Sequence, residues 1–131
     1  MNEIIVQTKS RTDFINITRS VQEFAEKKQT RDGLITVFVP HTTAGITINE
    51  NADPDVTADM ETVLDRMVPW NGGYLHREGN TAAHVKTSLM GSSVQVIVQD
   101  GQLALGTWQS IYFCEFDGPR TRRVWMSEFP A

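Results

Sequence analysis

Apolar residues recur along this chain at two spacings, every second residue in some segments and every third or fourth in others. The first spacing is typical of strands, and the second is typical of helices with one buried face. β-Branched and apolar runs predict strands at residues 4–8, 34–39, 46–50, 94–98 and 110–116, with a further strand at 124–126. Asp100-Gly101 predicts a hairpin turn after the fourth of these strands.

Three segments are predicted to be helical. The first covers residues 13 to about 29, and its apolar residues are Ile17, Val21, Phe24 and Ala25. The second has the clearest signals, because Asp53 can cap it and Pro54 suits its first position. Its apolar stripe consists of Val56, Met60, Val63, Leu64 and Met67. A short third helix is predicted from residue 80 or 81 to residue 88.

This order of elements predicts an α+β fold with mostly antiparallel, sandwich-like sheets and two or three helices. The chain has 131 residues, which suffice for one hydrophobic core and are few for two. Residues 1–131 are therefore expected to form a single domain.

Composition and charge limit the kinds of molecule that this protein is expected to bind. The net charge of −4 disfavours nucleic acid or a membrane surface as a partner. The longest apolar run is far shorter than the roughly 20 residues that cross a bilayer, and the first residues lack a secretory signal pattern. We therefore expect a cytoplasmic protein. The single cysteine, Cys114, lies in an apolar strand and is predicted to be buried and unreactive.

All three histidines of the chain, His41, His76 and His84, lie in polar, glycine-containing segments. Imidazole is the commonest ligand of transition metals, so these residues are candidate metal ligands. If they converged, positions on the metal would stay open for water or substrate, as in a catalytic site. Glu50 is then the first candidate for the acid–base group, and Glu78 is the second. Local hydrogen bonding by each histidine is an equally weighted alternative.

Arginines form a second candidate site, since Arg120, Arg122 and Arg123 stand within four residues after a turn. On a strand, Arg120 and Arg122 would share one face and grip a phosphate or carboxylate. The alternative is a charged edge strand without a ligand. Lys86 and Ser88 could add donors near His84.

A third feature is the segment GTWQ at residues 106–109. Trp108 could form a pocket wall, with Thr107 and Gln109 as polar contacts to substrate or anion. A bulge between strands explains the same segment without a ligand.

Four segments in order resemble the YjbQ family of small conserved proteins. They are HTTAGITINENADPDV at 41–56, GNTAAHVKTS at 79–88, GTWQ at 106–109 and GPR at 118–120. The resemblance covers nearly the whole chain. It implies a compact α+β sandwich that assembles as a homotrimer, with a metal or anion site near subunit interfaces around His41, His76 and His84.

The resemblance also implies an activity. Members of the family are labelled as secondary thiamine-phosphate synthases, which join a pyrimidine diphosphate to a thiazole phosphate and release diphosphate. Cationic donors for the leaving group would come from Arg120, Arg122, Lys86 and a divalent metal. Three histidines suit a zinc-like ion, whereas magnesium prefers oxygen ligands. Alternative functions are metal-assisted hydrolysis of a small phosphoester, or a non-catalytic trimer that binds a small anion or metal.

Overall fold

Two antiparallel sheets and three helices make up the computed structural model, which describes residues 2–131. In chain order the elements are β1 (Asn2–Gln7), β2 (Asp13–Asn16), α1 (Thr18–Lys27), β3 (Gly33–Phe38), β4 (Ala44–Glu50), α2 (Pro54–Met67), α3 (Thr81–Met90), β5 (Ser93–Gln99), β6 (Gln102–Leu103), β7 (Gln109–Glu115) and β8 (Thr121–Pro130). None of the helices within residues 2–131 is long and apolar enough to cross a membrane.

The larger sheet has the strand order β1-β8-β3-β5-β6, and the smaller sheet has the order β2-β7-β4. Every pairing between these strands is antiparallel. The predicted α+β fold with antiparallel sheets is confirmed. The predicted hairpin after β5 is also present, because Asp100 and Gly101 both have positive φ, 51° and 78°, as a two-residue turn of this kind requires.

The main core lies where the inner faces of the two sheets meet and α1 packs against them. Its fully buried residues include Ile35 of β3, Ile46 of β4 and Phe113 of β7, together with Val21 of α1. Along β3 and β5 the buried residues alternate with more exposed positions, as the period of two predicts, whereas β7 is buried on both faces. Burial of such side chains stabilises each by about 1.5–3 kcal/mol relative to exposure.

One predicted helix starts later than expected. Residues 13–16 were expected to be its first turn, but they form β2 and pair with β7. Phe14 contacts Phe116 edge to face, with ring centres 6.2 Å apart. The pairing of a whole strand outweighs the helical spacing of a few residues, because propensity is a weak preference that tertiary contacts override.

A second apolar layer covers the outer face of the smaller sheet. Ala83 of α3 packs there with Tyr112, Cys114 and Phe116, and Leu64, Trp70 and Met90 lie against the cluster. Cys114 is completely buried, as predicted, and burial raises the pKa of its thiol far above the ordinary value. The thiol is therefore unreactive.

The helix α2 packs less closely than its sequence pattern indicates. Its predicted N-cap is confirmed, since Oδ1 of Asp53 accepts from the N–H of Asp55 at 2.9 Å. However, none of its residues is buried, and Val63 and Met67 of the predicted apolar stripe are 49% and 64% exposed. The stripe exists, but much of it faces away from the core of its own chain.

Candidate functional site

His76 and His84 lie side by side where the loop before α3 meets the helix. Their ring centres are 5.4 Å apart and their planes are nearly perpendicular, at 84°. A turn brings His76 back to α3, because the N–H of Gly79 donates to the carbonyl of His76 and Gly79 has a φ of 75°. Oε1 of Glu78 is 3.9 Å from Nε2 of His76. We call His76 and His84 the histidine pair.

A chain of polar contacts leads from Glu78 to Arg120. Nδ2 of Asn80 donates to Oε2 of Glu78 at 3.3 Å and to Oδ2 of Asp117 at 2.8 Å. Arg120 reaches the same Asp117 oxygen through Nη2, at 2.9 Å. The histidine pair and the exposed guanidinium of Arg120 therefore belong to one connected polar surface.

Asn80 lowers the stability of the fold, because one of its buried polar atoms has no hydrogen-bond partner within the described residues. It is 5% exposed, and its Oδ1 has no hydrogen-bond partner among the residues that the structure describes. A buried acceptor without a donor costs about 1–3 kcal/mol. Asn80 stands at the N-cap position of α3, but its side chain forms no capping hydrogen bond. A functional role for Asn80 would explain this unsatisfied buried atom.

His41, the third predicted ligand, has a different role. Its Nε2 accepts a hydrogen bond from the backbone N–H of Arg123 at 2.9 Å. Burial, and then the nearby cation of Arg122, lower the pKa of His41 below its ordinary value of 6.5. The neutral ring with the proton on Nδ1 is thus favoured, and the nitrogen that accepts from β8 is not free to bind a metal.

Arg122 is buried and already paired. Its Nε and Nη2 donate to the two carboxylate oxygens of Glu115 at 2.8 and 2.5 Å, and Nη2 also donates to Oγ1 of Thr43 at 2.8 Å. Arg122 is 5% exposed and Glu115 is fully buried. The predicted face shared by Arg120 and Arg122 does not exist, because Arg120 precedes β8 and is exposed. Arg123 points outward and pairs with Glu3.

Lys86 and Ser88 were predicted to donate to an anion near His84. Instead, the ammonium of Lys86 is buried and forms an ion pair with Asp65 of α2. The hydroxyl of Ser88 donates to the carbonyl of His84 at 3.1 Å, within the same helix. Lys86 therefore connects α3 to α2, and neither side chain is arranged as a free donor.

Glu50, Thr107 and Gln109 lie toward the opposite end of the smaller sheet. Glu50 pairs with Gln109, whereas Ala44 pairs with Glu115 at the end nearer the histidine pair. The six steps from Ala44 to Glu50 span about 20 Å in an extended strand. Thr107 and Gln109 are exposed, and Oε1 of Gln109 accepts from a backbone N–H of its own turn. The structure does not bring these residues to the predicted site.

The histidine pair is incomplete as a metal site within one chain. No three histidine, cysteine or carboxylate side chains within residues 2–131 are close enough to hold a metal ion. The two imidazoles, with ring centres 5.4 Å apart, are side chains of a type that binds transition metals, and Glu78 stands next to His76.

Asn80, Asp117 and Glu115 belong to this region, although none of them was predicted as a site residue. Asn80 was expected only at the start of the third helix, and no functional role was predicted for Asp117. Their contact spans 37 positions of sequence, so no local spacing indicates it. Glu115 is an acidic residue inside an apolar strand, which is a signal for a buried partner of opposite charge.

Taken together, the fold and site define a small two-sheet α+β protein with a surface histidine pair linked to a carboxylate and a guanidinium. The chain belongs to the UPF0047 family of YjbQ-like proteins, whose family model matches residues 2–130. Two of its relatives are the UPF0047 protein YugU of Bacillus subtilis and a UPF0047 protein of Methanocaldococcus jannaschii. The first is 53% identical and the match covers 92% of both chains. The second is 46% identical and the match covers 92% of this chain and 88% of the relative.

Solved structures of the family have the same fold. An uncharacterized conserved protein of the YjbQ/UPF0047 family from Clostridium acetobutylicum is 53% identical, with a TM-score of 0.97 over 98% of this chain and all (100%) of the other. A hypothetical protein from Aeropyrum pernix is 33% identical, with a TM-score of 0.94 over 99% and 98% of the two chains. These names establish family and fold, and they assign no reaction.

Proposed function

We propose that this protein is an enzyme that acts on a small phosphorylated metabolite with a divalent transition metal held by the histidine pair. The single observation that carries the proposal is the arrangement of the two rings, 5.4 Å apart and at 84° to each other. In a tetrahedral site with metal–nitrogen bonds of about 2.1 Å, the centres of two ligating imidazoles lie about 5 Å apart. The observed separation of the ring centres is close to this value, which supports the proposal.

The ligand chemistry favours a zinc-like ion over magnesium, since imidazole nitrogen suits zinc, manganese, iron, cobalt or nickel. Such an ion would supply a Lewis acid for a phosphoryl oxygen and an acidified water. Glu78 is near enough to His76 to act as a further ligand or as the acid–base group. Glu78 replaces Glu50 in that role because Glu50 is at the far end of β4.

The anion would be held by Arg120. Among the cations predicted for this task, Arg122 is neutralised by Glu115 and Lys86 by Asp65. Arg120 is half exposed, and its pairing with Asp117 uses Nε and Nη2. Asn80 holds Asp117, and Asp117 in turn orients the guanidinium of Arg120 on the same polar surface as the histidine pair. Arginine suits phosphate because its planar fork matches two oxygens.

Within this class, we propose thiamine-phosphate synthesis as the first reaction to test. It releases diphosphate, so it needs cationic groups at the leaving oxygens, which a metal at the histidine pair and Arg120 would provide. Hydrolysis of a small phosphoester by a metal-activated water uses the same groups. The released product separates the two, because one reaction forms diphosphate and the other forms inorganic phosphate.

We also propose a homotrimer, which would complete the half-filled metal site from a neighbouring copy. Two exposed apolar surfaces support assembly. On the outer face of the larger sheet, Leu34 stands between its cross-strand partners Ile97 and Phe129, which are both 58% exposed. On the opposite side, Val63 of α2 and Leu89 of α3 are 49% and 57% exposed. Apolar areas of this kind mark interaction surfaces.

Metal content tests the proposal directly. Protein without an affinity tag should carry close to one equivalent of a transition metal by mass spectrometry, and His76→Ala and His84→Ala should each lose it. His41→Ala is the matched control and should keep the metal, because His41 hydrogen-bonds to β8 instead. Metal retained in both pair variants would contradict the proposed site. Loss of metal in the His41 variant alone would place the metal at His41 instead.

Activity is then measured with the metal-loaded protein. Hydroxymethylpyrimidine diphosphate and thiazole phosphate should yield thiamine phosphate and diphosphate, and His84→Ala should reduce the rate at least about 100-fold. Turnover that persists without metal would overturn the metal-dependent mechanism. Full metal binding with no turnover on any phosphorylated compound would favour a non-catalytic binding protein.

A further inference from the structure

A second candidate site is a cleft that shares no lining residue with the histidine pair. Its volume is about 780 Å³, and it opens between the loop that follows β1 and the C-terminal end of α2. Four of its lining side chains carry the argument, namely Arg11, Glu61, Asp65 and Trp70. We call it the Trp70 cleft. Its volume is within the range of small-molecule sites.

Arg11 occupies the aromatic wall of this cleft. Its guanidinium carbon lies 4.0 Å from the centre of the Trp70 ring, in a cation–π contact. In the part of the chain that the structure describes, no carboxylate is within ion-pair distance of Arg11, although two carboxylates line the same cleft. The ring face itself thus attracts a cation here, without an ion pair to hold it.

The opposite wall is acidic. Glu61 and Asp65 are four residues apart on α2, so they project from one face of that helix into the cleft. Asp65 is balanced by the buried ammonium of Lys86. Glu61 forms no ion pair within residues 2–131, so one uncompensated negative charge faces the stacked guanidinium of Arg11 across the cleft.

We propose that the Trp70 cleft binds an organic cation with N–H donors, an amine or a guanidinium. The ligand's charge stacks on Trp70, and its N–H groups donate to Glu61 and Asp65. Arg11 is an intramolecular competitor that fills the same position when no ligand is present. The proposal does not depend on the chemistry of the histidine pair, because the cleft shares none of those side chains.

Calorimetric titration of the intact protein with L-argininamide at low salt tests the proposal. If the Arg11 side chain occupies the ring of Trp70 in most molecules, the ligand can bind only to the remaining fraction. Arg11→Ala frees every site, so it should bind L-argininamide about fivefold more tightly than the parent. The same substitution also removes a positive charge. Lys9→Ala is the matched control, because Lys9 is exposed in the same loop and is not part of the cleft lining. It should change affinity less than twofold.

Glu61→Gln and Trp70→Leu test the two walls. Each should weaken binding of L-argininamide at least about fivefold, by loss of the carboxylate or of the ring. Trp70 packs against the apolar cluster around Phe116, so Trp70→Leu can disturb folding, whereas Glu61 is on a solvent-facing helix. Equal affinity of the parent, Arg11→Ala and Glu61→Gln would overturn the proposal. An equal gain in Arg11→Ala and Lys9→Ala would also overturn it, since it would reflect net charge alone.

Discussion

The imidazole of His41 accepts a hydrogen bond from the backbone N–H of Arg123, with 2.9 Å between Nε2 and the backbone nitrogen. β3 ends at Phe38, so the ring takes the place beside β8 that a further strand residue would occupy. The neutral imidazole is the form that can accept this bond. Protonation of Nε2 would remove the acceptor and place a cation near Arg122.

The first prediction follows for the pH dependence of stability. The folded pKa of His41 is lower than the unfolded value of 6.5, so the unfolded state binds more protons as the pH falls. The stabilisation is therefore complete above the unfolded pKa and is lost as the pH falls through the folded pKa. His41→Gln keeps an acceptor that does not titrate, so its unfolding free energy should fall less from about pH 8 to about pH 5. Urea unfolding of metal-free protein across this range measures the difference, and parallel pH profiles for parent and variant would contradict it.

Arg122 and Glu115 give the second prediction. Arg122→Ala leaves the fully buried carboxylate of Glu115 without its cation, and should cost about 3–5 kcal/mol of unfolding free energy. Arg122→Lys should lose less unfolding free energy, because lysine keeps the positive charge although it cannot form the bidentate contact. Arg123→Ala, at the exposed neighbouring position, is the control and should lose much less. Urea unfolding at one protein concentration compares all three, and equal losses for Arg122→Ala and Arg123→Ala would show that the pair is not structural.

Gly118 leads to the third prediction. A Cβ at this position would lie 2.4 Å from the carbonyl oxygen of Ser10 and 2.8 Å from both Oγ1 of Thr8 and Cγ of Glu115. Gly118→Ala should therefore cost about 3 kcal/mol of unfolding free energy, because backbone and buried carboxylate must move. At Gly106 the nearest atom is the side-chain oxygen of Gln109, at 3.2 Å. Gly106→Ala should cost less than about 1 kcal/mol in the same assay, and a similar loss at both positions would contradict the close packing.

The fourth prediction separates the two candidate acid–base groups. Glu78→Gln should reduce turnover of the phosphorylated substrate at least about 100-fold, since general acid–base groups contribute at this level. Glu50→Gln should leave turnover within about twofold, because Glu50 lies about 20 Å along β4 from the end nearest the histidine pair. Steady-state kinetics of both metal-loaded variants decide between them. A loss confined to Glu50→Gln would return the acid–base role to the position first predicted.

The fifth prediction concerns assembly through the two exposed apolar surfaces. Val63→Glu on α2 and Ile97→Glu on the larger sheet should each shift the protein from trimer to monomer in size-exclusion chromatography with light scattering. A buried unpaired carboxylate is costly at an interface. Gln99→Glu adds the same charge at an exposed polar position of β5 and should leave the trimer intact. A monomeric parent protein would contradict the proposed assembly.

The sequence by itself determined the class of fold, most of the strands, the cap of α2 and the inert burial of Cys114. These features depend on local spacing and on residue types, which are visible in a single chain. The family resemblance also follows from the sequence, and the match over residues 2–130 confirms it.

Only the tertiary structure decided which polar residues meet. It separated His41 from the histidine pair, paired Arg122 with Glu115, and moved Glu50 to the far end of its strand. Spacing along the chain indicates which side chains share a face of one element, but contacts between elements depend on how the sheets and helices pack. Asn80 and Asp117 illustrate this, because they are 37 positions apart in the sequence and are brought into contact only by the order of the strands and the placement of α3.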